Sequence, residues 1–287
     1  MILFLRVCLL ASATITAALF TGCASAPETG RSQLSLISDA EVESMAVSQF
    51  DQMKQQMPIS KDVEKQQRLQ KIGERIVVAA RARGADLKPP EQWEFVVFES
   101  DQINAFAMPG GKVGFYTGIF PLFDNDDDVA VVMGHEIAHV AAHHGEEKVS
   151  HQLANQMAGA ALAIGLGLGE VDHSTSQIVM ASYGLGSSIG FILPYSRTME
   201  SEADHVGLIY SSAAGYDPRA SVPFWQKMDS QGGERPPEFL STHPSGTTRI
   251  RRLKELIPEA LPIYMQASGQ ASWPGPVKPG AMYAYLY

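Results

Sequence analysis

Residues 129–142 read Val-Ala-Val-Val-Met-Gly-His-Glu-Ile-Ala-His-Val-Ala-Ala, and eleven of the fourteen are apolar or glycine. The apolar positions run all the way round a helical wheel, so a helix here belongs in an interior. The acidic stretch just before it, Asp124 to Asp128 with Asn125 inside, offers N-cap side chains and negative charge to the positive end of the helix. The three polar side chains, His135, Glu136 and His139, fall within one arc of about 100°. Burying a carboxylate and two imidazoles without partners costs on the order of several kcal/mol. Any fold of this chain must therefore bury the helix and set a partner against that arc.

A metal ion is the economical partner. Histidines at i and i+4 leave one helix face with their Cβ atoms about 6 Å apart, so both imidazoles reach one ion. The glutamate beside the first histidine then faces an open coordination position, which is the H-E-x-x-H pattern of zinc peptidases. A catalytic zinc needs a third protein ligand. A histidine six residues after His139 would supply it in one class, but that position is Gly145, flanked by His143 and His144. The best alternative is Glu200-Ser-Glu-Ala-Asp204. Glu200 and Asp204 share a helix face: the first is placed to bind metal, the second to accept a hydrogen bond from a ligand imidazole. Glu202 lies about 200° round from Glu200 and is not expected on the metal.

The chain has 287 residues, 22 Lys+Arg and 31 Asp+Glu, for a net charge of −9. That balance excludes a nucleic-acid partner, which needs a basic footprint. The two cysteines, Cys8 and Cys23, exclude a disulfide framework or a cysteine-rich zinc module. Arg6 is the only charged residue among the first 27, and an apolar run follows it over residues 7–20. The run fits a secretory signal peptide. Phe20-Thr-Gly-Cys23 then resembles a bacterial lipobox, which makes Cys23 the candidate lipidation site. The expected division is a signal peptide over 1–22, a polar tether over 23–37, a main domain over 38–265 and a Pro/Gly-rich tail over 266–287. Ala24 rather than Asp after the cysteine points to an outer-membrane lipoprotein, held by its lipid and facing the periplasm.

Ser38-Asp-Ala-Glu41 is a capping box that opens a helix running to about Met57. A second helix is expected from about Lys61 to Arg83, stopped by Gly84. Residues 94–99, 105–108 and 112–117 read as short strands, the last two around Pro109-Gly-Gly. From there the pattern is mostly helical to about residue 257. Two apolar segments, 157–168 and 178–194, are too short or too polar to be convincing membrane spans and are expected as buried helices.

Four ordered motifs together resemble the zinc metallopeptidase family of HtpX and the CAAX prenyl endopeptidase. They are the 104–112 segment Asn-Ala-Phe-Ala-Met-Pro-Gly-Gly-Lys, His135-Glu-Ile-Ala-His139, Arg197-Thr-Met-Glu200-Ser-Glu-Ala-Asp204, and Thr242-His-Pro-Ser with Arg249-Ile250. The signal and lipobox make the chain most similar to that family's periplasmic, outer-membrane-associated branch. The resemblance implies an α+β, mostly helical gluzincin-type fold with a small sheet. It implies that an edge strand beside the metal pairs with the substrate backbone, here at Gly110, Gly111, Lys112 and Val113. It implies one Zn²⁺ per chain on His135, His139 and Glu200, with Glu136 as base and Asp204 in support. His243 then stabilises the oxyanion or gates the metal, and Arg197 supports the site by an ion pair. His144 is given no role, and His151, His173 and His205 are expected at polar or solvent-facing positions. The implied partners are polypeptide substrates, together with outer-membrane assembly proteins. The competing reading is a chaperone-like lipoprotein that keeps the metal and cleaves little. The intact Glu136 favours the enzyme.

Overall fold

The computed structural model describes residues 23–26, 29–169, 171–187, 193–231, 239, 243 and 247–269. The signal peptide and the tail from residue 270 onward lie outside the described residues. Helix α1 (Asp39–Gln56) opens on the capping box: the Ser38 side chain accepts from the Glu41 amide, and the Glu41 carboxylate accepts from the Ser38 amide. Helix α2 (Val63–Ala82) is capped by Asp62 and ends before Gly84, whose φ of 101° takes the chain out of the helix.

A three-stranded sheet follows, made of β3 (Glu94–Phe98), β4 (Ala105–Met108) and β5 (Lys112–Tyr116). (β1 and β2 are the N-terminal pair described below.) Its order is β3-β5-β4, with β5 parallel to β3 and antiparallel to β4. Gly110 and Gly111, at φ 83° and 72°, make the turn between β4 and β5.

Helix α3 (Asp126–Ala141) is the apolar helix of the sequence, capped by Asn125, and all but a few of its residues are buried. Helix α4 (His144–Leu168) follows it after a single turn at His143, and α5 (His173–Ser187) packs back on α4. Helix α6 (Leu193–Ala213) crosses α3 at two glycines. A Cβ on Gly134 would stand 2.6 Å from the Gly207 carbonyl oxygen, and one on Gly207 would stand 2.7 Å from the His135 amide nitrogen. The two backbones therefore touch, which no larger residue permits. Helix α7 (Ser221–Ser230) and α8 (Thr247–Ala267) close the core with Phe224, Trp225 and Leu253, against Ile72 and Ile76 of α2 and Val97 and Phe115 of the sheet. The mostly helical α+β class follows.

Two expectations are corrected. Residues 23–37 were expected as a tether, but β1 (Cys23–Ser25) and β2 (Ser32–Leu34) form an antiparallel hairpin laid on the start of α4. Gln33 is buried and its Nε2 donates to the Ala142 carbonyl at 2.5 Å, while the Leu36 amide donates to Ser150 Oγ at 3.0 Å. Its polar side chains have partners more than a hundred residues away, which no local pattern reveals.

The apolar segments 157–168 and 178–194 were expected to be buried. Their described residues, 157–168, 178–187 and 193–194, fall in α4, α5 and the start of α6, residues 188–192 lying outside the described residues, and Met157 (62%), Ile164 (63%), Leu168 (72%) and Ile178 (67%) are exposed. Only the first two turns of α4 reach the core, so its apolar half has no core to enter. Among the described residues, no helix is long and apolar enough to cross a membrane.

The glycine crossing gives a direct test. Gly207→Ala is expected to lower unfolding free energy by about 1–3 kcal/mol, as overpacking does. Gly165→Ala, where nothing among the described residues lies within 4 Å of the added Cβ, should be neutral or stabilising by up to about 1 kcal/mol. Denaturant unfolding of both variants beside wild type checks the pair.

Candidate metal centre

The crossing at Gly134 and Gly207 sets the polar arc of α3 against the first turns of α6. His135, Glu136 and Glu200 are buried there, and His139 nearly so. His135 Nε2 lies 3.3 Å from one Glu200 oxygen and His139 Nε2 lies 3.3 Å from the other. The two Nε2 atoms are 3.1 Å apart. His243 joins them from the C-terminal side, its Nδ1 at 3.0 and 3.1 Å from the Glu200 oxygens and 3.2 Å from His135 Nε2. Phe239 holds His243 there: its ring stacks on the imidazole at 4.6 Å, and its carbonyl accepts from the His243 amide at 2.7 Å.

One donor atom from each of His135, His139, Glu200 and His243 lies within 4.8 Å of the other three. Three imidazoles and one carboxylate, converging in a buried space, are a borderline-soft N/O set that suits zinc. Protonation differs from group to group across the cluster. Burial would raise the Glu200 carboxyl, but the charges and hydrogen bonds of His139, His135 and His243 hold it far below the carboxylate range. Burial and Arg249 push His135 down, yet its hydrogen bonds to Asp204 and Glu200 prevail and carry it to about 9. Burial drives His139 well below its ordinary value. The cluster thus holds a negative carboxylate that attracts a cation and one imidazole that stays neutral beside it.

Glu136 sits differently. Its Oε2 accepts from the Ala107 amide at 3.0 Å, and its Oε1 is buried without a hydrogen-bond partner among the described residues, 3.6 Å from His243 Nε2. Burial pushes its carboxyl above the ordinary range.

Each α3 histidine is held from behind. His135 Nδ1 meets Asp204 Oδ1 at 3.0 Å, and Arg249 Nη2 donates to that same oxygen at 2.5 Å. The Arg249 guanidinium lies 3.3 Å from the centre of the Trp225 ring. His139 Nδ1 meets His144 Nδ1 at 2.8 Å, and His144 Nε2 meets Glu202 Oε2 at 3.1 Å. His144 reaches back because His143, at φ 54°, breaks the chain between α3 and α4.

Three placements differ from the sequence reading. Arg197 is exposed, and the arginine against Asp204 is Arg249, which enters from α8 packed along α6. Lys112 and Val113 lie in β5, the central strand, with hydrogen-bonding neighbours on both sides, and Gly110 and Gly111 form the turn. They cannot receive a further strand. The edge beside Glu136 is β4, whose Ala107 touches it. His144 and Glu202 also belong to the centre. Their polarity next to the two motifs was a sequence signal for them, and His144 also resembles a histidine that follows the motif in the family. His205 pairs with Glu259 and His173 with Gln177 at polar positions, and His151 is half-buried on α4.

Residues 63–257 match the model of Peptidase family M48. The chain belongs to that family. The M48 match spans every residue of the cluster and includes both helices that carry it. The chain is 38% identical over 179 residues to the mitochondrial metalloendopeptidase OMA1 of Schizosaccharomyces pombe, covering 61% of this chain and 49% of that one. It is 31% identical over 253 residues to human OMA1, covering 85% and 48%. It is 29% identical over 248 residues to the β-barrel assembly-enhancing protease of Escherichia coli K12, covering 84% and 49%. The chain thus spans about half the length of these curated relatives.

Asp204→Asn removes the charge that orients His135 and leaves Arg249 with Glu200, 3.9 Å away, in place of its close carboxylate partner. It is expected to weaken zinc binding 10–100-fold, read by competition against a chromogenic chelator.

Proposed function

We propose that this M48 chain is a zinc-dependent metalloendopeptidase that cleaves misfolded or unassembled proteins of the cell envelope. The observation that carries the reading is the buried convergence of His135, His139 and Glu200 with the unpartnered Oε1 of Glu136 beside it. His135, His139 and Glu200 would hold the ion. Bound there, zinc supplies a Lewis acid that polarises the scissile carbonyl and lowers the pKa of a water to about 7.

The protein's own groups then divide the work. Glu136 Oε1 takes the water's proton and passes it to the leaving amine, while the Ala107 amide holds the other oxygen still. The raised pKa of this carboxyl suits a group that must hold a proton between two steps. The outer edge of β4 offers the Ala105 and Ala107 carbonyls to an extended substrate, their amides being held by Asn104 and Glu136, so recognition asks little of sequence. His243 Nε2, 3.6 Å from Glu136, is placed to hydrogen-bond the developing oxyanion once its Nδ1 leaves Glu200.

The envelope setting rests on the signal-like N-terminus with Cys23 as lipidation site. It rests also on the E. coli relative, whose name ties it to β-barrel assembly. The OMA1 relatives are named as mitochondrial metalloendopeptidases, so they support the activity and not the envelope compartment. A second reading, a metal-holding scaffold with gated cleavage, is favoured by one observation: His243 lies on Glu200, within the donor cluster.

Casein degradation by residues 24–287, wild type beside Glu136→Gln, tests the proposal. The variant is expected to keep one zinc per chain and lose 10²–10⁴-fold in rate. Chelation should abolish wild-type cleavage, and added zinc should restore it. If both proteins hold zinc and neither cleaves, the gated reading stands.

A further inference from the structure

The two α3 histidines are backed by matching devices. Behind His135 stands a carboxylate clamped by an arginine, Asp204 with Arg249. Behind His139 stands His144, then the carboxylate of Glu202. The arginine on that side comes from the N-terminal hairpin. Arg31 Nε donates to Glu202 Oε2 at 2.7 Å, and its two Nη atoms donate to the two oxygens of Glu147 at 2.9 and 2.7 Å. Thr29 Oγ1 donates to the other oxygen of Glu202.

The two carboxylates are almost fully buried, their side chains 5% and 1% exposed for Glu202 and Glu147, while Arg31 is 20% exposed. Two buried negative charges this close repel each other, and a single guanidinium bridges them. Main-chain pairing of β1 with β2 and the buried Gln33 amide fix the strap that carries Arg31.

We propose that Arg31 is a positioning residue for the metal centre, acting from the strap through Glu202 and His144 on His139. The direction of the hydrogen bonds follows from the chemistry. Glu202, held as a carboxylate by Arg31, can only accept, so His144 donates from Nε2 and its Nδ1 is an acceptor. His139 must then carry its proton on Nδ1, which leaves Nε2, the atom facing Glu200, with a free lone pair for a metal. Without Arg31 the carboxylate loses its clamp, and neither the ring nor its tautomer is determined. The N-terminal strap is thus a working part of the centre and not a spacer. The inference rests on the metallopeptidase reading.

The test uses the chain from residue 23, zinc-loaded, as wild type, Arg31→Ala, Arg31→Lys, His144→Phe and the double variant Arg31→Ala/His144→Phe. Two quantities are read: zinc affinity by chelator competition, and the visible absorption spectrum of the Co²⁺-substituted protein. Circular dichroism confirms that each variant is folded. Arg31→Ala is expected to lose 10–100-fold in zinc affinity and to shift the Co²⁺ bands. Arg31→Lys, which cannot bridge both carboxylates, should fall between. In the His144→Phe background, Arg31→Ala should change affinity less than twofold, because its route to His139 is already cut. If Arg31→Ala matches wild type within twofold, or costs the same in both backgrounds, the positioning role is overturned while the metallopeptidase reading survives. A wild type that binds neither metal overturns both.

Discussion

The contact on which the rest depends is the crossing of α3 and α6 at Gly134 and Gly207. Side chains usually hold helix axes about 8–10 Å apart. Here backbone meets backbone, and a Cβ at either position would fall within 2.7 Å of the opposite main chain. The closeness has a chemical purpose. Glu200 stands two turns before Gly207, and His135 and His139 one and five residues after Gly134, so the glycines set the distance at which a short glutamate reaches two imidazoles. At that distance both carboxylate oxygens are 3.3 Å from a ring nitrogen. Asp204, one turn from Glu200, then falls against the far side of the His135 ring.

Bringing these groups together concentrates charge in the interior. The structure balances it with cations drawn from both ends of the chain. Arg249 of α8 pairs with Asp204, and Arg31 of the strap bridges Glu202 and Glu147. Removing one partner of such a buried pair typically costs about 3–5 kcal/mol, because the other charge is left without compensation. The N-terminal hairpin and the C-terminal helix are therefore tied to the centre electrostatically, although each is more than forty residues from the nearest group it serves. Helix–helix packing positions the ligand atoms, and the arginines hold the rings that carry them.

Local order was readable where short-range chemistry decides it. The Ser38 capping box, the Gly84 stop, the Gly-Gly turn and the apolar helix each rest on residues within a few positions of one another. The spacing of His135, Glu136 and His139, and of Glu200 and Asp204, was equally plain, because a helix fixes which side chains share a face. The harder residues were those whose partners lie far along the chain. Arg31 and Glu202 are separated by 171 positions, and Arg249 and Asp204 by 45. Arg197 was the local candidate for the second role and lies exposed instead. The same limit applies to the sheet. Composition marks three strands, but only their pairing shows that β5 is enclosed and that β4 faces Glu136.

The apolar segments of α4 and α5 show that limit from the other side. Their composition suits an interior, but the core is already filled by α3, α6, α7 and the sheet, so their large side chains stay exposed. The sequence by itself determined the two opening helices, the apolar helix and the three central strands, the grouping of two histidines and a glutamate on one buried face, and the residues to seek as their partners. These follow from helical and strand periodicity, which are local properties of the backbone. Only the tertiary structure decided which carboxylate backs which histidine, which arginine clamps it, and which strand edge borders the centre. Those depend on how closely two helices approach and on where the chain ends come to rest, and no local periodicity encodes either.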